Sequence, residues 1–426
     1  MHPLTRLRRT GTVARLAAQL YLLYKVPAWW RRLTGRPKAS DAELRPTHDR
    51  AAHIILAAAL SMRGVIIKMC QAIATRADVF PPAFIDTLKQ CHDAVPAKPF
   101  ALVRAQVERG LGKPLDAVFA EFAERPIASA SLAQVHAARL LDGREVAVKV
   151  QYPDIEDIVR TDLRNMERAC RVYEWADPQP LELLPLLREL TQHIGYELDF
   201  CREARCADRV REIFRDNPRI IVPGIYHELS SERVLVMERV SGMKITDKAA
   251  LEAAGLEPAE VVQDLMTAYV RMILAAGFFQ ADPQPGDLMV TPEGKLILLD
   301  FGLSKELPEG YGLGLFELMF SMMTLNESAM IRAFRELGFE TKTGDPDTFL
   351  AITRRMLSRS ESGSFEGEFT EEMTDELFDA IREDPVVSVP SDFVLVGRVF
   401  SFLSGIAHTL GSRANVLAAM GAGPPS

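Results

Sequence analysis

Apolar residues recur at helical spacing through residues 51–74 and again through 82–88, and the run ends at the proline-punctuated Val95-Pro96-Ala97-Lys98-Pro99. A helix pair is predicted over 100–122, interrupted at 110–114. The period then changes. Residues 127–150 hold a small-residue turn and two short alternating runs, 135–140 and 145–150. These are joined by Leu141-Asp142-Gly143-Arg144, whose Asp-Gly marks a hairpin. Helices are predicted over 154–175, 181–214 and 259–278, with short strands at 220–222, 234–237 and 296–299. The rest reads as helical, with Ser391-Asp392 placed to cap the apolar run from Phe393. There is no internal repeat, and residues 421–426 read as a disordered tail. The pattern is an α+β organisation, a small β-containing part followed by a mostly helical part.

Four segments carry candidate chemistry. In Val146-Ala147-Val148-Lys149-Val150, alternation puts Lys149 on the face opposite Val148 and Val150, where its amine can reach nucleotide phosphates. Leu299-Asp300-Phe301-Gly302 places a carboxylate where the chain leaves an apolar strand, fit to hold Mg²⁺ against phosphate oxygens. Between them, Asp282-Pro283-Gln284-Pro285-Gly286-Asp287 is a stiff loop presenting two carboxylates five residues apart, the separation of the Asp and the metal-binding residue in a kinase catalytic loop. Three carboxylates converging there would repel unless a cation neutralised them, so a metal is expected. Upstream, Glu197-Leu198-Asp199-Phe200-Cys201-Arg202-Glu203 is read as one helix with Asp199 and Glu203 on one face, and Glu203 is the expected partner of Lys149.

Composition, 48% hydrophobic and 25% charged, is that of a folded globular chain. The net charge of −8 hides an asymmetry: the first forty residues carry nine Lys or Arg and no acid, and the remaining 386 carry 41 basic against 58 acidic. Residues 4–36 interleave the bases with Leu16, Leu20, Tyr21, Leu22, Leu23, Trp29 and Trp30. A helix lying on an anionic membrane and a helix packed on its own domain both fit that mixture. The acidity of the remainder argues against nucleic acid as a partner. No run of about 18 apolar residues is free of interruption, so a spanning helix is not expected. Five scattered cysteines, without a secretory signal, read as reduced, buried small hydrophobes in a cytoplasmic protein.

Taken together, these segments resemble the UbiB family of atypical protein-kinase-like proteins over roughly residues 63–398. Three features lie outside ordinary kinases. Pro126 to His136, with Ala128-Ser129-Ala130-Ser131 at its centre, resembles the family's alanine-rich loop, which stands where kinases have a glycine-rich phosphate clamp. Lys68-Met69-Cys70-Gln71, followed by Thr75-Arg76-Ala77-Asp78, resembles the Lys-x-Gly-Gln signature with Cys70 in place of glycine. Glu197-x-Asp199 resembles the acidic pair facing that extension. The resemblance implies a bilobal kinase-like fold with a basic amphipathic segment (1–40), a helical extension (41–99), an N-lobe (100–240) and a helical C-lobe (241–426). It implies an ATP and Mg²⁺ site: Lys149 on phosphate, Glu203 orienting it, Asp282 at the catalytic position, Asp300 and Asp287 on metal, Glu238 and Val240 at the adenine-binding hinge. Lys68, Gln71, Glu197 and Asp199 would line the covered site. The implied function is an ATPase or a small-molecule or lipid kinase in ubiquinone or other isoprenoid-lipid metabolism, peripheral at the inner face of a membrane. The loop departs from the family's Asp-Pro-His-Pro-Gly-Asn at Gln284 and Asp287, and Gln280 stands where His is common. A nucleotide-gated scaffold with weak or no turnover therefore stays open as the alternative.

Overall fold

The basic N-terminal stretch is a 31-residue helix, α1 (Pro3–Leu33), in the computed structural model, which describes residues 3–37, 39–62, 64–74, 80–92, 97–176, 183–324, 326–342, 386–412 and 419. The chain divides into two compact units, Met1–Ala204 with Ile225–Arg239, and Arg205–Gly224 with Val240–Ser426.

In the first unit α1 is followed by α2 (Asp41–Met62), α3 (Val65–Ala74) and α4 (Pro82–Leu88). The single periodic stretch predicted over 51–74 is broken at Gly64, whose φ of +64° is a left-handed turn that other residues adopt at a cost. Next come α5 (Phe100–Leu111) and strands β1 (Phe119–Phe122), β2 (Ala128–Ser129), β3 (Ala133–Leu140) and β4 (Glu145–Gln151). The second helix predicted before residue 122 is thus a strand. Left-handed Gly112 ends α5, and Phe119 and Phe122 pack edge to face as β1 pairs with β3. Helices α6 (Ile155–Ala176) and α7 (Leu183–Glu197) follow, then α8 (Phe200–Ile213), which belongs to the second unit from Arg205 on, β5 (Ile220–Ile221) of the second unit, and β6 (Val234–Glu238) of the first. The helix predicted over 181–214 is two, because Asp199 caps the second: its Oδ1 accepts the Arg202 amide at 2.8 Å.

The first unit's antiparallel sheet runs β1-β3-β4-β6, with β2 on β3. Val146, Val148 and Val150 are buried against Val103 and Val107 of α5 and Val234 and Val236 of β6. A second core gathers Val13 and Leu16 of α1, Ile55 and Ala59 of α2, Ile66 of α3 and Val159 of α6. Of the two readings of the basic helix, packing on its own domain is therefore realised along one side. Arg9 fixes it: its guanidinium donates to both oxygens of Asp162 in α6, Nε at 2.8 Å, and to the Met62 carbonyl at 2.9 Å. The other side leaves Leu4, Leu7, Leu22, Val26, Trp29, Trp30 and Leu33 exposed.

The second unit holds β5, β7 (Met243–Lys244), α9 (Lys248–Ala253), α10 (Pro258–Val270), β8 (Phe278–Gln280), β9 (Leu288–Val290), β10 (Leu296–Leu298) and β11 (Ser304–Glu306). Beyond them lie α11 (Tyr311–Met323), α12 (Glu327–Leu337), β12 (Glu340–Thr341), β13 (Val386–Ser388) and α13 (Ser391–Thr409). The helix predicted to reach 278 stops early. A π turn over Arg271–Ala275 and left-handed Gly277 (φ +59°) release Phe278–Gln280 into a ladder with Ser304–Glu306. A sheet ordered β5-β10-β9-β7 carries the acidic segments at its ends. The cap expected at Ser391-Asp392 is absent: Pro390 takes the cap position without a side-chain bond, and Asp392 pairs with Lys305 at 2.7 Å. Among the described residues no helix is long and apolar enough to cross a membrane.

Removing Arg9 strands the fully buried Asp162 carboxylate. Arg9→Ala is expected to cost about 3 kcal/mol in denaturant unfolding, and Arg9→Ala with Asp162→Asn distinctly less, since no charge is then left unpaired.

Candidate functional site

In the first unit the site begins with the pleat of β4. Val146, Val148 and Val150 point into the core, so Ala147, Lys149 and Gln151 share the other face. Lys149 sits between Val135 of β3 and Leu235 of β6, in the middle of the sheet. Its amine donates to Glu203 Oε1 at 2.7 Å and Oε2 at 2.9 Å, and lies 5.2 Å from the Phe200 ring centre. Both ends are sheltered, with side-chain exposures of 13% and 3%. Phe200 and Ala204, four apart on α8, pack onto Ala133 and Leu235, which turns the intervening Glu203 toward the lysine.

Gln151 completes this arrangement and was missed in the sequence. Two residues beyond Lys149 on the same face, it donates to the carbonyls of Leu198 at 2.7 Å and Glu232 at 3.0 Å, and the latter also accepts the Phe200 amide at 3.2 Å. It thereby pins the α7–α8 junction to the sheet. Its signal was a polar residue in phase with the lysine at the end of a buried strand.

The helical extension meets the same junction. Lys68 of α3 pairs with Glu197, the last residue of α7, at 2.8 Å, while Asp199 is spent on the α8 cap. Glu197 thus ends one helix and Asp199 caps the next, so the single helix expected over 197–203 is broken between them. Gln71 donates to the Cys91 carbonyl at 3.4 Å, and its own oxygen is buried without a hydrogen bond. Cys70, in the signature's glycine position, is fully buried, and a hydrogen bond to Cys91 together with burial pushes its thiol up, so it stays protonated. Thr75 to Asp78 and Pro96 lie outside the described residues.

The alanine-rich stretch is a hairpin edge. Ala128 and Ser129 pair with Val135 and Gln134, and the Ala130 amide donates to Ala133 O at 2.8 Å. Tyr152 donates to Ala130 O at 2.9 Å, and Ser131 is buried. The Ala130 amide is thus committed to the hairpin, while Ala128, Ser129 and Ala130 stand exposed. Glu238 ends β6 opposite Val146, exposed, and Val240 falls in the second unit.

In the second unit Asp300 takes φ +53°, a left-handed conformation that Asp tolerates, and its Oδ1 accepts the Gly302 amide at 3.1 Å. The Leu299 amide donates to the Asp287 carbonyl at 2.9 Å, which sets Asp287 beside the residue preceding Asp300. A fully buried amide holds this turn. Gln280 Nε2 donates to the carbonyls of Leu299 and Asp300, both at 2.6 Å, and Gln280 Oε1 accepts the Tyr269 hydroxyl at 2.5 Å. Burial, and then the charges of Asp287 and Asp282, hold that hydroxyl well above its usual range. Gln280 was noted in the sequence only as a missing histidine. Its role as a brace, with no titratable group, appears once β8 is placed.

Asp282 goes elsewhere. Gln284 Nε2 donates to its Oδ2 at 3.1 Å, and Arg398 Nη2 of α13 stands 3.3 Å from its Oδ1. Among the described residues no three His, Cys, Asp or Glu side chains are grouped to hold a metal. The expected convergence of three carboxylates is thus not found among the described residues, and Asp282 is engaged by an amide and a guanidinium. The remaining pair, Asp287 and Asp300, fits Mg²⁺, which takes one or two protein carboxylates and completes its shell with water and substrate phosphates.

The family model of the ABC1 atypical kinase-like domain matches residues 90–334. The chain belongs to this ABC1 family. It is 32% identical over 352 residues to the chloroplastic Arabidopsis thaliana protein Activity of BC1 Complex Kinase 7, covering 82% of this chain and 51% of that one. Against AarF domain-containing protein kinase 1 of Xenopus tropicalis it is 31% identical, over 86% of this chain and 72% of the relative. The chain thus spans about half the length of the plant relative. A solved Mycobacterium tuberculosis structure, the Rv3197–erythromycin complex, aligns with a TM-score of 0.62 at 22% identity, over 89% of this chain and 97% of that one, a likeness of fold. An α+β kinase-like fold in an ABC1 family chain agrees with the motif order Lys149, Glu203, Asp282, Asp300.

Gln280→Ala leaves the Leu299 and Asp300 carbonyls and the Tyr269 hydroxyl without their partner. The loss expected is about 2–3 kcal/mol of stability, read as a lowered Tm, and Gln280→His should recover part of it at pH above about 7, where the ring is neutral.

Proposed function

We propose that this atypical kinase-like chain binds ATP or ADP with Mg²⁺ and turns ATP over as an ATPase or as a kinase acting on a small molecule or lipid. The observation that carries the reading is the sheltered Lys149–Glu203 pair at 2.7 Å, in an ABC1 family chain. An ammonium fixed by a carboxylate on a central strand is the group that would meet nucleotide phosphates, and Asp300 with Asp287 would hold the metal. Bound Mg²⁺ would neutralise phosphate charge. The chain's own residues do the rest: Glu203 aims Lys149, Gln280 keeps Asp300 in its left-handed turn, and Gln284 orients Asp282. Glu238 and Val240 would contact adenine through their backbone. Lys68 and Gln71, held by Glu197 and Cys91, are the extension's residues proposed to line the site, and a small molecule or water is the proposed phosphoryl acceptor.

An anionic membrane surface is the proposed setting, with an isoprenoid lipid such as a ubiquinone precursor as the linked metabolite. Its support is the outer side of α1, where exposed Trp29, Trp30, Leu22 and Leu33 stand among Arg32, Arg36 and Arg15. A second reading, a nucleotide-gated scaffold, is favoured by one observation: Asp282 is occupied by Arg398.

Thermal unfolding with ATP or ADP, with and without Mg²⁺, separates these readings when ADP release is followed with and without anionic liposomes. Metal-dependent stabilisation of several degrees at about 100 times Kd, lost in Asp300→Asn, together with liposome-stimulated ADP release, is expected. Stabilisation without release would favour the scaffold, and no stabilisation would overturn nucleotide binding.

A further inference from the structure

The loop Asp282-Pro283-Gln284-Pro285-Gly286-Asp287 carries two carboxylates and no basic side chain. Phosphoryl groups spread negative charge over several oxygens, and enzymes that hold them supply Arg or Lys donors as well as metal. Here a cation arrives from far along the chain. Arg398 lies 116 residues after Asp282, on α13, whose flanking Val396 and Val399 are buried in the second unit and fix the helix.

Its contact with Asp282 is incomplete. Nη2 stands 3.3 Å from Oδ1, yet that Oδ1 and the Arg398 Nε are both buried atoms without a hydrogen bond. An ion pair serving stability alone would satisfy both, since a guanidinium can bind a carboxylate through two parallel N–H donors. Gln284 already serves the other Asp282 oxygen, so the loop holds its aspartate without the arginine. The guanidinium carbon also lies 5.9 Å from the Phe402 ring centre, an apolar contact that uses none of its N–H donors.

We propose that Arg398 is a phosphoryl-binding residue. It rests on Asp282 when no nucleotide is present, and turns its Nε and Nη donors to the terminal phosphate of a nucleoside triphosphate. The inference rests on the nucleotide-binding reading and adds the group that would distinguish a triphosphate from a diphosphate.

Affinities of the full chain for a non-hydrolysable ATP analogue and for ADP, each with Mg²⁺, test it in wild type, Arg398→Gln and Arg398→Lys. Arg398→Gln should weaken the triphosphate at least about tenfold and leave ADP within about twofold, while Arg398→Lys recovers part of the loss. The ratio of the two affinities is insensitive to a uniform loss of folded protein. An unchanged ratio in Arg398→Gln, whether both affinities fall together or neither moves, overturns the proposal while nucleotide binding stands. Wild type binding neither nucleotide overturns nucleotide binding itself, and this inference with it.

Discussion

A sheltered ammonium needs a carboxylate beside it, and in the first unit much of the structure serves to bring one to the other. Lys149 is sheltered in mid-sheet, where a lone charge would lose its solvation and shift to the neutral form. Glu203 meets it only because α8 starts where it does. The Asp199 cap sets that start, Gln151 ties the preceding turn to β4, and Phe200 and Ala204 seat the helix on β3 and β6. The Lys68–Glu197 pair then fastens the helical extension to the same junction. One ion pair thus depends on a cap, an amide and a packed helix face, and the extension is built onto its support.

The second unit uses a different economy. Its candidate metal turn is held by neutral groups: Tyr269, Gln280 and two carbonyls. A glutamine in that place holds the turn identically at any pH, where a histidine would exchange donor and acceptor as it titrates. The charged contact here is that of Arg398 with Asp282. The Asp in place of Asn at 287 adds negative charge to this loop, and Arg398 offsets part of it.

What was legible in the sequence follows from how local its cause is. Lys149 showed itself because a strand alternates with period two, and Asp300 because an apolar run ends in Asp-Phe-Gly. Glu203 was assigned correctly as the partner of Lys149 although its helix was drawn too long, since a single cap residue does not disturb apolar periodicity. The strand at Phe119–Phe122 and the early stop of α10 were not legible, because pairing with β3 and with β11 decides them. Gln151 left only the signal of a polar residue in phase with Lys149, and the roles of Gln280 and Arg398 were hidden for a related reason. Gln151 and Gln280 bind backbone carbonyls, which carry no sequence signature, and Arg398 meets a residue 116 positions away.

The most direct test of this account is a double-mutant cycle on Lys149 and Glu203, reading Mg²⁺-nucleotide affinity in wild type, Lys149→Met, Glu203→Gln and the double variant. If Glu203 acts by holding Lys149 in place, the two losses overlap, and the double variant should bind about as weakly as Lys149→Met, a coupling of about 1 kcal/mol or more. Additive losses, or full affinity in Lys149→Met, would contradict the claim that this ion pair organises a nucleotide site.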